Sequence, residues 1–227
     1  MARLRIGLVG CGAIGTSLAK AIKRDFSKMA ALAAVYDVDS EKSAKVSALF
    51  KNRKLAVSTL DQLIKRSQLV IEAASAHSSW VIARKALLKK RDVMVMSIGG
   101  VVGRKAELSR LAAKAGARVY LPSGAISGVD ALKAAMFGKV KSVTLTTRKN
   151  PAAFKGVKYV EGLGLELEKI EKDTLLFSGP ASEAVKNFPQ NINVAALLSI
   201  AGIGQDKTMV RILACPWGTT GKKNPIA

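Results

Sequence analysis

The sequence predicts an α/β protein with a doubly wound parallel sheet, followed by a smaller α+β domain with a mixed or antiparallel sheet. Three observations predict this architecture. Short apolar runs alternate with helical patterns between residues 3 and 121, as in sheets built from right-handed β–α–β units. A glycine-rich loop, "GCGAIG", follows the first apolar run. After Pro122 the alternation ends, and threonines and charged residues interrupt the apolar positions.

The first domain is expected to cover residues 1–122. Its first helix follows the glycine loop, where apolar residues recur at helical spacing from Ile14 onward. We expect Ser40 to cap the second helix and Gly116 to end the last one. The run "AALAAVY" is apolar throughout, as expected for a strand covered on both faces. In chain order the expected strands are 3–9, 30–36, 55–58, 69–74, 93–96 and 118–121, and the later helices are 40–50, 59–66, 78–90 and 105–115.

The second domain is expected to cover residues 123–227 and to be incomplete at its C-terminal end. The segment "VKSVTLTTRKN" places apolar residues between threonines and charges, which predicts an antiparallel, half-exposed strand. The segments "DTLLFSG" and "TMVRILA" predict two further strands. Helices are expected at 129–137 and 181–188, and the apolar run "VAALLSIA" lies between the last two strands.

The net charge of +21 is the most unusual bulk property of the chain. Such a positive field attracts anions, including nucleic acids, dinucleotides and dicarboxylates. The lysines are scattered over predicted helix faces, and no pattern of a known nucleic-acid-binding module accompanies them. A generally basic surface is therefore favoured over a nucleic-acid partner.

Other bulk features point to a cytoplasmic protein without membrane segments. The longest apolar stretch, residues 194–203, is too short to span a bilayer. The apolar run at the N-terminus meets glycines at once and does not resemble a signal peptide. The two cysteines, Cys11 and Cys215, form no metal-binding pattern, so neither a metal site nor a structural disulfide is expected.

The loop "GLVGCGAIG" contains the pattern GxGxxG, preceded by a predicted strand and followed by a predicted helix. In a Rossmann-type fold, Gly10 allows the tight turn, Gly12 lets the backbone approach a pyrophosphate, and Gly15 lets the helix pack on the strand. An acidic residue is expected about twenty residues on, and Asp37 closes the second strand. Its carboxylate would bind the adenosine ribose and favour NAD over NADP, although Lys42 and Lys45 nearby weaken that preference. The alternative is a loop that serves packing alone.

The segment "EAASAH" follows the fourth predicted strand, where the edge of the sheet faces the cofactor. Ser75 could contact the nicotinamide ribose. His77, the only histidine, could act as a base, but a solvated residue at a helix start is the more common situation. Cys11 is expected to be a small filler residue. The candidate cofactor-binding residues of this domain are Gly10, Gly12, Ala13, Ile14, Gly15, Asp37 and Ser75.

Four further segments carry a family resemblance. In order, "YLPSGAISGVDAL", "VTLTTRKNP", "FSGPASEAVKNFPQNINVAALLSIAG" and "DKTMVRILA" resemble the L-aspartate dehydrogenase family. The resemblance runs from the glycine loop to about Ala214. It implies oxidation of L-aspartate with NAD or NADP to iminoaspartate, which hydrolyses to oxaloacetate and ammonia or supplies NAD biosynthesis. A homo-oligomer, such as a dimer, is also expected.

The resemblance adds candidate residues in the second domain. It implies that Ala125 and Asn193 contact the cofactor, where an amide can donate to and accept from the carboxamide; helix capping is the alternative for Asn193. The substrate is a dicarboxylate, and Arg148 and Lys149 are candidate cations for it. An exposed pair on an edge strand is the alternative for both.

The tail departs from the family pattern. The family that this sequence resembles has Asp-Pro after a strand like "VRILA", followed by a segment with the catalytic histidine. This sequence has Cys215-Pro216 at that position and ends in "KKNPIA". No residue matches that histidine, so the catalytic residue is unknown. A catalytically impaired NAD-binding remnant is therefore an alternative to an active dehydrogenase. Two alternatives are weaker. The first is a dehydrogenase acting on homoserine or dihydrodipicolinate, against which the segment "NINVAALLSIAG" argues. The second is a basic nucleic-acid binder.

Overall fold

A computed structural model describes residues 2–123, 126–188 and 193–216. The chain forms two compact units, Met1–Pro122 and Ser123–Ala227. Over the residues described, no helix is both long and apolar enough to cross a bilayer.

The first unit contains a five-stranded parallel sheet in the order β2-β1-β3-β4-β5. Its strands are β1 Leu4–Val9, β2 Ala30–Tyr36, β3 Leu69–Glu72, β4 Asp92–Val95 and β5 Val119–Tyr120. Its α-helices within the described residues are α1 Ala13–Arg24, α2 Ser40–Leu49, α3 Leu60–Arg66, α4 Ala76–Leu88 and α5 Lys105–Ala115.

The central strands are buried because helices follow each of them along the chain and cover the sheet. All four residues of β3 are buried, and Val70 and Val93 are fully inaccessible on neighbouring strands. The last helix ends at Gly116, whose φ of 61° lies in the left-handed region that glycine adopts readily. The predicted doubly wound sheet and this helix end are confirmed.

Two local predictions for the first unit are wrong. Residues 55–58 do not form a strand: a 3₁₀ turn spans Arg53–Leu55, and Ala56 makes only an isolated parallel bridge to Val35. The chain then turns directly into α3, so the short apolar run has no length over which to pair. Asp39, rather than Ser40, caps α2, because the Asp39 side chain accepts a hydrogen bond from Glu41 N.

The second unit contains a three-stranded mixed sheet in the order β6-β8-β7. Its described elements are α6 Val129–Ala135, β6 Val143–Lys149, α7 Lys158–Glu161, β7 Thr174–Pro180, α8 Ala181–Asn187, α9 Asn193–Ala201 and β8 Thr208–Ala214. Strand β7 pairs antiparallel with β8, whereas β6 pairs parallel with it. The prediction that β6 is antiparallel is therefore wrong, because its partner is the last strand rather than the next one along the chain.

Aromatic rings form the centre of the second unit. Phe154 and Phe188 are almost completely buried, and their ring centroids lie 6.4 Å apart in an edge-to-face arrangement. Tyr159 and Phe177 extend this cluster, with centroid distances to Phe188 of 5.3 and 5.7 Å. Such pairs add about 0.5–1.5 kcal/mol beyond burial of their area. These contacts join α8, β7 and the segment between β6 and β7.

Candidate functional site

A cleft of about 540 Å³ opens at the carboxyl ends of β1, β2 and β3 in the first unit. This edge is where ligands bind in open α/β sheets, because neighbouring loops diverge to opposite faces there. The lining residues come from four places: the glycine loop, the end of β2 with the start of α2, the segment after β3, and the helices α3 and α4. They are Val9, Gly10, Gly12, Tyr36, Asp37, Val38, Lys42, Leu60, Ala73, Ala74, Ser75, Ser78, Val81, Ile82 and Lys85.

Gly10 occupies a position that excludes a side chain. Its φ is 91°, and a Cβ built there would lie 2.5–2.6 Å from backbone atoms of Ala73 and Ala74. Its amide donates to the Tyr36 carbonyl at 2.9 Å. Gly10 thus fixes the glycine loop between the ends of β2 and β3.

Gly15 and Gly12 differ in what surrounds them. A Cβ on Gly15 would overlap the Gly10 carbonyl oxygen, so the absence of a side chain lets α1 pack on the loop. A Cβ on Gly12 would meet no atom within 4 Å, so the chain's own packing does not require glycine there. Gly12 is the N-cap of α1 and provides no side-chain cap. The open space lies in front of a helix start that has unpaired amides, an arrangement suited to a phosphate.

Ala13 and Ile14 form the first turn of α1 and are exposed. Neither belongs to the residues that line the cleft, and neither does Gly15. The structure therefore brings Gly10 and Gly12 together at the cleft. It leaves Ala13 and Ile14 able to contribute only through their position in the helix start.

Asp37 lies at the end of β2 and lines the cleft beside the glycine loop. Its Oδ2 accepts a hydrogen bond from Cys11 N at 2.7 Å, and its Oδ1 accepts one from Asp39 N at 3.0 Å. Each carboxylate oxygen can accept a second hydrogen bond. The carboxylate is thus held by the loop and still has acceptor capacity for a ligand hydroxyl.

Cys11 is buried between these groups. Burial, with a contribution from the Asp37 carboxylate, raises the pKa of its thiol to about 12. The thiol is therefore protonated at neutral pH, and it fills space rather than acting as a nucleophile.

Ser75 is the N-cap of α4 and lines the cleft, with its hydroxyl 3.1 Å from that of Ser78. His77 lies in the first turn of the same helix and is exposed, but it is not a cleft residue. The segment after β3 therefore presents Ser75 to the cleft and directs no histidine into it.

Three charged residues at or beside the cleft were not predicted as site residues. Glu72 ends β3 and is fully buried; a carboxylate that closes the apolar run "LVIE" is the signal that could have found it. Lys42 and Lys85 line the cleft and form ion pairs at 3.5 Å with Asp39 and at 3.6 Å with Asp61. The sequence suggests for Lys42 only an effect on the preference for NAD over NADP, and no local pattern distinguishes Lys85 from the many other lysines.

The candidate cations of the second unit lie next to each other on β6. Successive side chains of a strand point to opposite faces, so Arg148 and Lys149 cannot both hold one carboxylate. Arg148 is more than half exposed and lies 3.4 Å from the Asp173 carboxylate. Lys149 is half-buried, and burial lowers its pKa.

The remaining predicted residues lie at the edges of the described ranges. Asn193 is the first residue of α9 and is exposed. Ala125 and the tail from residue 217 onward lie outside the described residues. In the described parts of the chain, no three side chains of the metal-binding types form a group that could hold a metal ion.

Two family models match the chain. Residues 10–122 match the NAD binding domain of homoserine dehydrogenase, and residues 130–222 match the aspartate dehydrogenase C-terminal model. The prediction of an NAD-binding domain in the first unit is therefore confirmed.

Several solved structures share the fold, and two of them illustrate the similarity to this chain. The aspartate dehydrogenase of Thermotoga maritima has a TM-score of 0.66 at 24% identity, covering 95% of this chain and 80% of that one. GenD2 from gentamicin A biosynthesis, solved in complex with NAD, has a TM-score of 0.55 at 17% identity, covering 97% of this chain and 68% of that one.

A curated relative is more similar in sequence. The L-aspartate dehydrogenase of Methanosarcina barkeri is 45% identical over 215 residues, which are 94% of this chain and 79% of the relative. This identity extends over both units, so the predicted resemblance is confirmed. The chain belongs to the L-aspartate dehydrogenase family.

Proposed function

We propose that the protein oxidises L-aspartate to iminoaspartate with NAD, and less readily with NADP, as the hydride acceptor. The iminoaspartate then hydrolyses to oxaloacetate and ammonia or supplies NAD biosynthesis. The single observation that carries this proposal is the 45% identity to an L-aspartate dehydrogenase over 94% of the chain.

The cleft in the first unit fits the cofactor. The open position at Gly12, in front of an uncapped helix start, suits a pyrophosphate, and Asp37 has acceptor capacity for the adenosine ribose. Leu60, Val81 and Ile82 provide apolar surface in the same cleft. When bound, the nicotinamide ring supplies the hydride-accepting chemistry. The residues of this chain bind the dinucleotide, and Asp37 provides a carboxylate on the ribose side of the cleft.

The substrate carries two carboxylates, so a fixed cation should orient it. We assign this role to Lys149 rather than Arg148, because the Arg148 side chain is more than half exposed, whereas Lys149 is half-buried. An ammonium with less surrounding water attracts a carboxylate more strongly. Asn193, and Ala125 in the segment outside the described residues, stay predictions as cofactor contacts.

Turnover and binding should be measured on the same preparation. Purified protein is mixed with NAD and L-aspartate at alkaline pH while NADH absorbance is followed, and NADH is titrated separately by its fluorescence. L-homoserine in place of L-aspartate is the control for a related dehydrogenase. Turnover with L-aspartate and not with L-homoserine is the expected result.

The other outcomes identify the alternatives. NADH binding without turnover would favour an NAD-binding protein that lacks a catalytic group, since the sequence contains a single histidine, His77, on an exposed helix start. Absence of both binding and turnover, together with salt-sensitive retention on DNA, would favour a nucleic-acid binder. A homodimer and a cytoplasmic location stay predictions; light scattering of the purified protein measures the first.

A further inference from the structure

The carboxylate of Glu72 is the most completely buried charged group of the first unit within the described residues, with no exposed surface. Its Oε1 accepts hydrogen bonds from Ala74 N at 2.8 Å and from the Ser97 hydroxyl at 3.0 Å. Its Oε2 accepts one from Ser97 N at 3.0 Å. No ion pair involving Glu72 occurs among the described residues, so N–H and O–H donors stabilise the carboxylate.

These bonds hold two segments that meet at the cleft. Ala73 and Ala74 line the cleft and lie directly against Gly10, at a distance that admits no Cβ. Ser97 lies in the segment after β4, where a Cβ on Gly100 would overlap the Ala76 carbonyl oxygen and the Ser79 hydroxyl at the start of α4. The Glu72 carboxylate therefore joins the cleft wall to the segment that supports α4.

A buried carboxylate without a cation is a costly way to fill space, because desolvation of a charge is unfavourable. An apolar residue or an amide would pack the end of β3 without that cost. The carboxylate is, however, the side chain whose two oxygens can accept hydrogen bonds from the donors of both segments at once. The cost indicates a role in the cleft rather than in the core.

We infer that Glu72 is a positioning residue of the cofactor site: its ionised carboxylate fixes the Ala73–Ser75 wall against the glycine loop so that the cleft has the shape the dinucleotide requires. This inference rests on the proposed cofactor function. Glu72 does not contact the cofactor itself, since it is not a cleft residue.

The positioning role of Glu72 can be tested through its ionisation. If Glu72 positions the cofactor site, NADH affinity should change with pH as Glu72 is protonated. Burial raises the pKa of Glu72 above its ordinary value of 4.5, and hydrogen bonds from Ser97, Ala74 and Ser75 oppose the rise. Among the described residues, no charged side chain contributes to this shift. As pH falls through the raised pKa, the protonated carboxyl loses acceptor capacity, and the hold on Ala74 N and Ser97 N weakens.

The first experiment needs no cofactor. The amide resonances of Ala74 and Ser97 are followed by NMR from neutral to acidic pH in wild type, Glu72→Gln and the control Glu107→Gln, which changes a carboxylate on α5 outside the cleft. Both amides should titrate together above pH 4.5 in wild type and in the control, and not in Glu72→Gln. Separate or absent titration in wild type overturns the inference.

The second experiment measures NADH affinity over the same pH range. Wild type and Glu107→Gln should bind more weakly as Glu72 becomes protonated, whereas Glu72→Gln should bind about tenfold more weakly at neutral pH, the size of one hydrogen bond to a charged group. Glu72→Gln should also lose this part of the pH dependence. Wild-type affinity in Glu72→Gln, or an unchanged pH profile, overturns the inference.

A folding failure would not leave the matter open. If Glu72→Gln does not fold, Ser97→Ala decides, because it removes one donor to the carboxylate and keeps the others; wild-type NADH affinity in Ser97→Ala then overturns the inference. If wild-type protein binds no NADH, the proposed cofactor function fails. The NMR titration still decides whether Glu72 holds the two segments.

Discussion

Replacement of Gly12 by alanine should separate cofactor binding from stability. The backbone at Gly12 has a φ of −72°, which alanine adopts, and a Cβ there meets no atom of the chain within 4 Å. In the proposed complex, however, the pyrophosphate occupies the space beside that Cβ. Gly12→Ala should therefore weaken NADH binding and leave the folded protein unchanged.

The two magnitudes can be estimated separately. Alanine restricts the unfolded chain, but it is a poorer N-cap than glycine, so the free energy of unfolding should stay within about 0.5 kcal/mol of wild type. For a protein of this size that corresponds to a melting-temperature change of about 2 °C or less. A methyl group forced into a filled site costs about 1–3 kcal/mol, which raises the Kd for NADH roughly 5- to 150-fold.

Gly10→Ala is the matched comparison. Its φ of 91° is strained for alanine, and its Cβ would lie 2.5–2.6 Å from the backbone of Ala73 and Ala74. We expect a loss of about 2–4 kcal/mol in the free energy of unfolding and a melting temperature lower by roughly 5–15 °C.

Fluorescence titration with NADH and differential scanning calorimetry measure both quantities on each variant. If Gly12→Ala binds NADH as wild type does, the pyrophosphate does not lie against this loop, and the assignment of the cleft is wrong. If the melting temperature of Gly12→Ala is as low as that of Gly10→Ala, a Cβ at position 12 does contact the folded chain, contrary to the structure.

Three further predictions concern charge. Lys42→Ala should weaken NADPH binding about tenfold while changing NADH binding little, because the ammonium lines the cleft near the proposed adenosine ribose site. Lys45→Ala, on the same helix but outside the cleft, is the control. Equal effects of the two variants on NADPH binding would contradict the assignment of Lys42. Lys149→Gln should raise the KM for L-aspartate more than Arg148→Gln does, as steady-state kinetics can measure. A larger rise in KM for Arg148→Gln would assign the substrate to the other face of β6. Burial raises the pKa of the Cys11 thiol to about 12, so the thiol should react with iodoacetamide at pH 8 far more slowly in the folded protein than in urea. Peptide mapping measures both reaction rates. Equal rates would refute the burial of Cys11.

The sheet of the first unit could be predicted because each of its signals is local. The apolar run of β2 and the glycine that ends α5 act within a few residues of where they occur. The choice of helix cap was not predictable on this basis, since Asp39 and Ser40 are adjacent and both are good caps; the path of the backbone decides between them. The same holds for Ala56, whose single bridge to Val35 depends on where α3 begins.

The site divides in the same way. Gly10 and Gly12 belong to one short motif, so the sequence alone places them together. Glu72 acquires its role from Ser97, which lies 25 residues away and reaches it only through the pairing of β3 with β4. Arg148 and Lys149 stay predictions, and the sequence names them only as adjacent candidates; the alternation of β6 places their side chains on opposite faces.

Asp37 holds the glycine loop and, in the proposed function, also binds the adenosine ribose, which constrains any redesign toward NADPH. Replacement of this acid by a small neutral residue would remove the acceptor that Cys11 N uses, so the loop would lose a hydrogen bond along with the charge. Asparagine retains one acceptor oxygen and removes the repulsion of a 2′-phosphate. A new cation is better introduced at the neighbouring Val38, a cleft residue whose side chain is 92% exposed and has few contacts to lose.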